Sequence, residues 1–83
     1  ERSGAQQGVD ARRTEADTQL KVLSEREREV LQGLVKGFPN KTIAYDLGIS
    51  PRTVEIHRAN LMQKLNVRSL SEALRIAFRA GWE

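Results

Sequence analysis

The sequence contains no cysteine, which excludes both a disulfide framework and a thiolate metal site. No apolar run approaches the roughly 20 residues that a membrane-spanning helix needs, and the start of the chain lacks the apolar stretch of a signal peptide. We therefore expect a cytoplasmic protein without a membrane segment. In a chain of 83 residues, a catalytic cleft would compete with the core for few apolar side chains. An enzyme, a metal site and a cofactor are not expected.

Positive charge is concentrated in the middle of the chain. The segment 36–68 holds six basic and two acidic residues, whereas the four basic and four acidic residues of segment 1–23 cancel. A basic segment of this kind is typical of proteins that bind a polyanion such as nucleic acid, although a solvated basic face is the alternative.

Two regions follow from the distribution of apolar residues. Residues 1–22 are polar and are predicted to form a linker or tail, partly helical from about residue 9 to residue 20. Residues 23–83 carry apolar residues with helical spacing and are predicted to form one all-α domain of four helices. No strand pattern or repeat is present.

The first two predicted helices have clear boundaries. Ser24 and Glu27 have the spacing of a capping box, which predicts a helix over 25–36 that ends before Gly37. Asn40 is the predicted N-cap of a second helix, 41–47, which ends at Gly48 because a left-handed residue is needed there.

The third and fourth predicted helices also begin with capping residues. Ser50 followed by Pro51 at the first helical position predicts a helix from 51 to about 66. Ser69 and Glu72 form a second predicted capping box, which begins a helix that reaches about residue 80 and is closed by Gly81.

The tight connection between the second and third helices predicts a helix-turn-helix. Ala44 is small where the helices must approach, Gly48 makes the turn, and Ile49 and Val54 fill the space between the helices. A plain helical hairpin in a structural protein is the alternative.

The third helix has a predicted core side and a predicted base-reading side. At about 100° per residue, Val54, His57, Leu61 and Leu65 form the buried stripe, and His57 is a core or interface histidine rather than a metal ligand. In a major groove, Ile56 could pack on a thymine methyl group and Glu55 could accept from cytosine N4. The predicted base-reading residues are Arg52, Glu55, Ile56 and Ala59. For Ile56 alone, an ordinary exposed aliphatic residue is the alternative.

Phosphate contacts are predicted at the edges of this surface. The start of the second helix offers free N–H groups to anions. The predicted phosphate-contacting residues are Lys41, Thr42, Thr53, Arg58, Asn60 and Lys64. Arg58 lies beside the core stripe, and its alternative role is an ion pair with Glu27 or another carboxylate of the first helix.

The fourth helix is more apolar than one contact surface requires. Its excess predicts a dimer interface formed by Ala73, Ile76, Ala77 and Ala80. Alternatively, Trp82 folds back and covers part of this surface. A dimer would bind two half-sites about one helical turn of DNA apart.

These residues carry a family resemblance. The strings LSEREREVL, NKTIAYDLGISPRTVEIHRANLMQKL and SLSEALRIA, between residue 23 and about residue 80, resemble the LuxR/GerE-type DNA-binding domain, and are most similar to FixJ-type response regulators. The resemblance implies a four-helix domain whose third helix enters the major groove and whose fourth helix mediates dimerisation on DNA. It also implies base contacts by Glu55, Ile56 and Ala59, and phosphate contacts around Lys41, Thr42, Thr53 and Lys64. Glu55 departs from family members that have lysine at this position.

The sequence therefore predicts a sequence-specific DNA-binding domain of a bacterial transcriptional regulator, the effector domain of a two-component response regulator. The resemblance further implies an N-terminal receiver domain, joined through residues 1–22. RNA polymerase is a further expected partner. The alternatives are a sigma-factor-like promoter-recognition domain within RNA polymerase holoenzyme, and a helix-turn-helix retained only for protein binding.

Overall fold

The computed structural model describes residues 4–82 of the chain, with side chains for residue 11 and residues 13–82. Five helices follow one another: α1 (Gly4–Leu20), α2 (Glu25–Val35), α3 (Asn40–Leu47), α4 (Pro51–Leu65) and α5 (Leu70–Arg79). No strand occurs between residues 4 and 82, so the predicted all-α class is confirmed. None of these helices is both long enough and apolar enough to cross a membrane.

The capping box predicted for α2 is present. The Glu27 N–H donates to Ser24 Oγ at 3.2 Å, and the Ser24 N–H donates to Glu27 Oε1 at 2.9 Å. These reciprocal bonds satisfy two of the backbone donors that the first turn of a helix leaves unpaired. The helix therefore begins where the sequence indicates.

The start of α3 differs from the prediction. Pro39, rather than Asn40, is the N-cap, and no side chain caps this end. Asn40 is the first helical residue, and its side-chain oxygen is instead bonded to Arg58 of α4. A tertiary hydrogen bond has thus taken the acceptor that local capping would use.

The turn between α3 and α4 follows the sequence closely. Gly48 ends α3 with φ of 70°, in the left-handed region that favours glycine. Ser50 caps α4 by accepting from the Thr53 N–H at 3.1 Å, and Pro51 is the first helical residue. Since each boundary rests on residues within the turn itself, the helix-turn-helix is locally determined.

The start of α5 is capped on one side only. Ser69 Oγ accepts from the Glu72 N–H at 3.3 Å, as predicted. The Glu72 carboxylate, however, accepts from the Arg68 N–H at 2.9 Å rather than from the N-cap residue. The reciprocal half of the predicted capping box is therefore displaced by one residue.

The core lies where α4 crosses α2, α3 and α5. Val30 and Leu31 of α2 and Val54 and Leu61 of α4 are fully buried. The predicted inward stripe of α4 is thus confirmed for Val54, Leu61 and Leu65. Burying this stripe fixes the rotation of α4 and points its opposite side to solvent.

The N-terminal segment is more ordered than the predicted linker. Residues 4–20 form one helix, which begins about five residues before the expected start, and α1 packs against α5. Ala16 and Leu20 are each 1% exposed and belong to the common core. A few apolar side chains at helical spacing are therefore enough to attach a polar helix when a complementary apolar face is available.

Candidate nucleic-acid interface

The outer side of α4 presents all four residues predicted to read bases. Arg52, Glu55, Ile56 and Ala59 are exposed, and Ile56 is 49% exposed. The buried side of the same helix anchors them to the core. These four side chains therefore form one surface whose orientation is set by the packing of α4.

An open groove runs along this surface beside Ala59. Its walls are formed by longer side chains on either side of Ala59, namely Glu55, Arg58, Met62, Gln63 and Val67. Because alanine has only a methyl group, a ligand surface can approach the backbone of α4 more closely here than elsewhere along the helix. This geometry suits a helix that inserts into a groove of duplex DNA.

The start of α3 lies at one edge of the surface. Lys41 is exposed and Thr42 is half-buried, and both lie in the first turn, where unpaired N–H groups and the helix dipole favour anions. At the other edge, Asn60 is exposed, and Thr53 is half-buried with its hydroxyl 2.9 Å from Ser50 Oγ. The predicted phosphate-contacting residues thus lie on both sides of the base-reading face.

Arg58 connects the two helices of the helix-turn-helix. Its Nη1 donates to Asn40 Oδ1 at 3.0 Å, and the pair is partly buried. The alternative of an ion pair with Glu27 is wrong, since Glu27 is occupied by another residue. Arg58 is therefore held at the edge of the surface by its hydrogen bond to α3.

Lys64, rather than Arg58, forms the ion pair with Glu27. Its Nζ donates to Glu27 Oε1 at 2.9 Å, where the Lys64 side chain is 42% exposed and that of Glu27 is 6% exposed. Burial raises the pKa of the Glu27 carboxyl, but hydrogen bonds from Lys64 and the Ser24 N–H outweigh this effect and lower the pKa overall. Lys64 thus links α4 to α2 through an ion pair. This ion pair competes with the phosphate contact predicted for Lys64.

Glu27 and Asn40 are positioning residues whose observed partners in α4, Lys64 and Arg58 respectively, were not predicted from the sequence. Each holds a basic residue of α4 in place, Glu27 from α2 and Asn40 from α3. The burial of Glu27 could be predicted from the sequence, because Glu27 lies three and four residues before Val30 and Leu31, on the same side of the helix. The role of Asn40 had no sequence signal beyond its suitability as a cap.

His57 is half-buried. It lies on the same flank of α4 as Lys64, about two helical turns away. Its Nδ1 is buried, and no residue whose side chain the structure describes provides it with a hydrogen-bond partner. Within the same part of the chain, no cluster of three His, Asp or Glu side chains is suited to a metal ion. His57 therefore combines a packing role with an unsatisfied polar atom.

The predicted dimer residues of α5 are not on the surface. Ala73, Ile76, Ala77 and Ala80 are each at most 6% exposed, because α5 packs against α1, α2 and α4. Trp82, the alternative cover, is half-buried against the same core. These apolar residues are thus covered by other helices of the same chain. A second copy of the domain is not needed to bury them.

The chain matches the family model described as bacterial regulatory proteins, luxR family, over residues 21–77. It is 54% identical over 80 residues to the transcriptional regulatory protein FixJ of Azorhizobium caulinodans. The aligned region covers 96% of this chain and 38% of that protein. The chain therefore spans little more than a third of the length of this relative.

Two solved structures are similar to this fold. Full-length FixJ from B. japonicum has a TM-score of 0.81 and 46% identity, covering 89% of this chain and 36% of that one. The C-terminal transcriptional activator domain of FixJ from Sinorhizobium meliloti has a TM-score of 0.73 and 54% identity, covering 82% and 86% of the two chains. These relatives favour a regulator over the sigma-factor alternative. The chain belongs to the luxR family of bacterial regulatory proteins and is a helix-turn-helix effector domain of the FixJ type.

Proposed function

We propose that this domain binds double-stranded DNA sequence-specifically, with α4 in the major groove, and so regulates transcription in the bacterial cytoplasm. The observation that carries the proposal is the two-sided character of α4. One side is buried in the core, and the other presents Arg52, Glu55, Ile56 and Ala59 to solvent. A helix held in this way can enter a groove about 12 Å wide without disturbing the fold.

Specificity and affinity arise from different residues in this proposal. Ile56 contacts a thymine methyl group and Glu55 accepts from cytosine N4, which makes the preferred site sequence-dependent. Arg52 donates to a base edge or a nearby phosphate at the helix start. Affinity comes largely from phosphate neutralisation by Lys41 and Arg58, assisted by the N–H groups at the start of α3.

The domain acts as a homodimer on DNA in this proposal, through the side of α5 that holds Ala73, Ile76, Ala77 and Ala80. Because this side is now covered, pairing requires α1 to leave α5. The weak apolar character of α1 supports such a release, since Ala16 and Leu20 are its contributions to the described core. In the whole protein, a receiver domain precedes α1 and RNA polymerase is a partner.

The first experiment is selection of bound duplexes from a random library at two salt concentrations. We expect enrichment of a two-fold symmetric sequence, together with affinity that falls as salt increases. Salt-sensitive binding without an enriched sequence would leave only a basic surface and would reject sequence-specific regulation.

The dimer is tested separately on the enriched duplex. Leu20→Asp places a charge under α1 and should release it, so that complexes with two chains form at a lower protein concentration than with the parent chain. Thr18→Asp, at an exposed position of the same helix, is the matched control. Single-chain complexes for the parent and for both variants at every concentration would reject pairing through α5.

A further inference from the structure

His57 lies on the same flank of α4 as three residues that the sequence predicts to contact phosphates. Thr53, Asn60 and Lys64 are four, three and seven residues away from it, separations that place all four side chains within roughly 60° around the helix. Arg58 lies on the opposite flank, where it is bonded to Asn40. Any DNA backbone that approaches Thr53 and Asn60 therefore passes close to His57.

The two ring nitrogens of His57 have different surroundings. Nδ1 is buried, and none of the side chains or backbone groups that the structure describes is bonded to it. A proton on Nδ1 would have no acceptor there, so Nε2 is the ring nitrogen that can donate to an acceptor outside the domain. Since His57 is only half-buried and Nε2 is not a buried unpaired atom, Nε2 lies at the solvent edge of the ring.

An unpaired buried acceptor lowers stability, and an apolar side chain at this position would avoid that cost. The feature that distinguishes histidine from an apolar residue at this position is therefore the polar outer edge of its ring. A neutral N–H at the border of a DNA-binding helix is a suitable donor to a phosphate oxygen, because many phosphate contacts come from neutral side chains.

We propose that His57 is a further DNA-backbone ligand, which donates a hydrogen bond from Nε2–H to a phosphate oxygen of duplex DNA. This inference rests on the proposed function. It adds a neutral contact between Thr53 and Asn60, on the flank where Lys64 is already engaged by Glu27.

The test compares three variants of the full chain by titration with the selected duplex and with a random duplex. His57→Gln places an amide N–H near the position of Nε2–H, His57→Asn places one near Nδ1, and His57→Leu offers neither. We expect the Asn and Leu variants to bind both duplexes about tenfold more weakly, the scale of one hydrogen bond to a charged group. The Gln variant should stay within about twofold of the parent chain, since its donor is retained.

Two further measurements separate a phosphate contact from a structural role. His57→Leu should unfold at the same temperature as the parent chain or higher, because it removes the unpaired acceptor. The salt dependence of binding should keep its slope in all three variants, since a neutral donor releases no counterion. Lys41→Ala is the charged control, and it should lower that slope by about one.

Several outcomes would overturn the inference. Parent-like DNA binding by His57→Leu would show that His57 makes no such contact. Equal losses of affinity for the Gln and Asn variants would show the same. The comparison of Gln with Asn remains decisive if the Leu variant does not fold. A slope lowered by about one in the Leu variant would show a charged ligand instead of a neutral donor. If the parent chain bound neither duplex, the proposed function itself would fail, and this contact with it.

Discussion

The helix-turn-helix and α1 are both helical, but for different reasons. Gly48, Ser50 and Pro51 fix the turn between α3 and α4 through their own backbone conformations and hydrogen bonds. The described side chains of α1 are mostly polar, and it is attached through Ala16 and Leu20. An isolated helix of 17 residues with this composition is marginal in water. The turn between α3 and α4 is therefore specified locally, whereas α1 depends on the apolar face of α5.

The largest expected difference comes from a matched pair of buried leucines. Leu61 in α4 is 0% exposed and Leu20 in α1 is 1% exposed. Leu61→Ala should lower the free energy of unfolding by about 3–5 kcal/mol, because the centre of the core cannot collapse around the cavity. Leu20→Ala should cost about 1–2 kcal/mol, because α1 can detach while the rest stays folded.

Urea unfolding followed by circular dichroism measures both costs, and amide hydrogen exchange shows where they fall. Faster exchange in Leu20→Ala should be confined to α1, whereas Leu61→Ala should affect every helix. Equal losses of unfolding free energy, with faster exchange over the whole chain, would contradict a separate α1. In that case α1 would belong to one cooperative unit with α3 and α4.

The local turn can be tested at Gly48. With φ of 70° and no atom within 4 Å of an added Cβ, Gly48→Ala should cost about 1–2 kcal/mol through backbone strain alone. Gly48→Asn should cost less, because Asn66 takes the left-handed conformation in this same chain. Thermal unfolding measures the difference, and an unchanged midpoint for the alanine variant would contradict a conformational requirement at this turn.

The ion pair between α2 and α4 predicts a dependence of stability on pH. Because the pKa of Glu27 is lowered in the folded protein, its contribution is present above the ordinary carboxyl pKa of about 4.3. It is lost as the pH falls through the lower folded-state pKa. Glu27→Gln should cost about 1 kcal/mol at pH 7 and should flatten the loss of stability in acid.

The matched control for Glu27 is Glu29→Gln, which breaks an exposed ion pair with Arg26. That pair should contribute less than about 0.5 kcal/mol. Urea unfolding at a series of pH values measures both variants. An acid dependence of Glu27→Gln that is as steep as that of the parent would show that other carboxylates cause it.

The smallest expected effects distinguish residues within the DNA-binding surface. Ile56→Ala should reduce affinity for the selected duplex by about fivefold and leave binding to random DNA unchanged, as loss of an apolar base contact requires. Gln19→Ala, at an exposed position of α1, should change neither affinity. Titrations with both duplexes test this, and an equal loss on the two for Ile56→Ala would remove it from base recognition.

Most of the fold that could be predicted from the sequence depends on residues that are close together in the chain. Helical periodicity and caps are short-range features, so α2, α4 and the turn at Gly48 were predicted closely. The start of α3 was wrong by one residue because Asn40 makes a tertiary hydrogen bond to Arg58. The outward position of Ile56 was predictable, since burial of Val54 and Leu61 on the same helix fixes the rotation of α4.

Four amphipathic helices, the turn between α3 and α4, and the set of side chains that α4 presents outward can all be predicted from the sequence alone. Each of these depends on residues a few positions apart. Three features depend on the packing of the helices: α1 covers α5, Lys64 rather than Arg58 pairs with Glu27, and Nδ1 of His57 has no partner among the described residues. Such contacts join residues distant in sequence, and periodicity shows which face of a helix is apolar without showing which other helix will cover it.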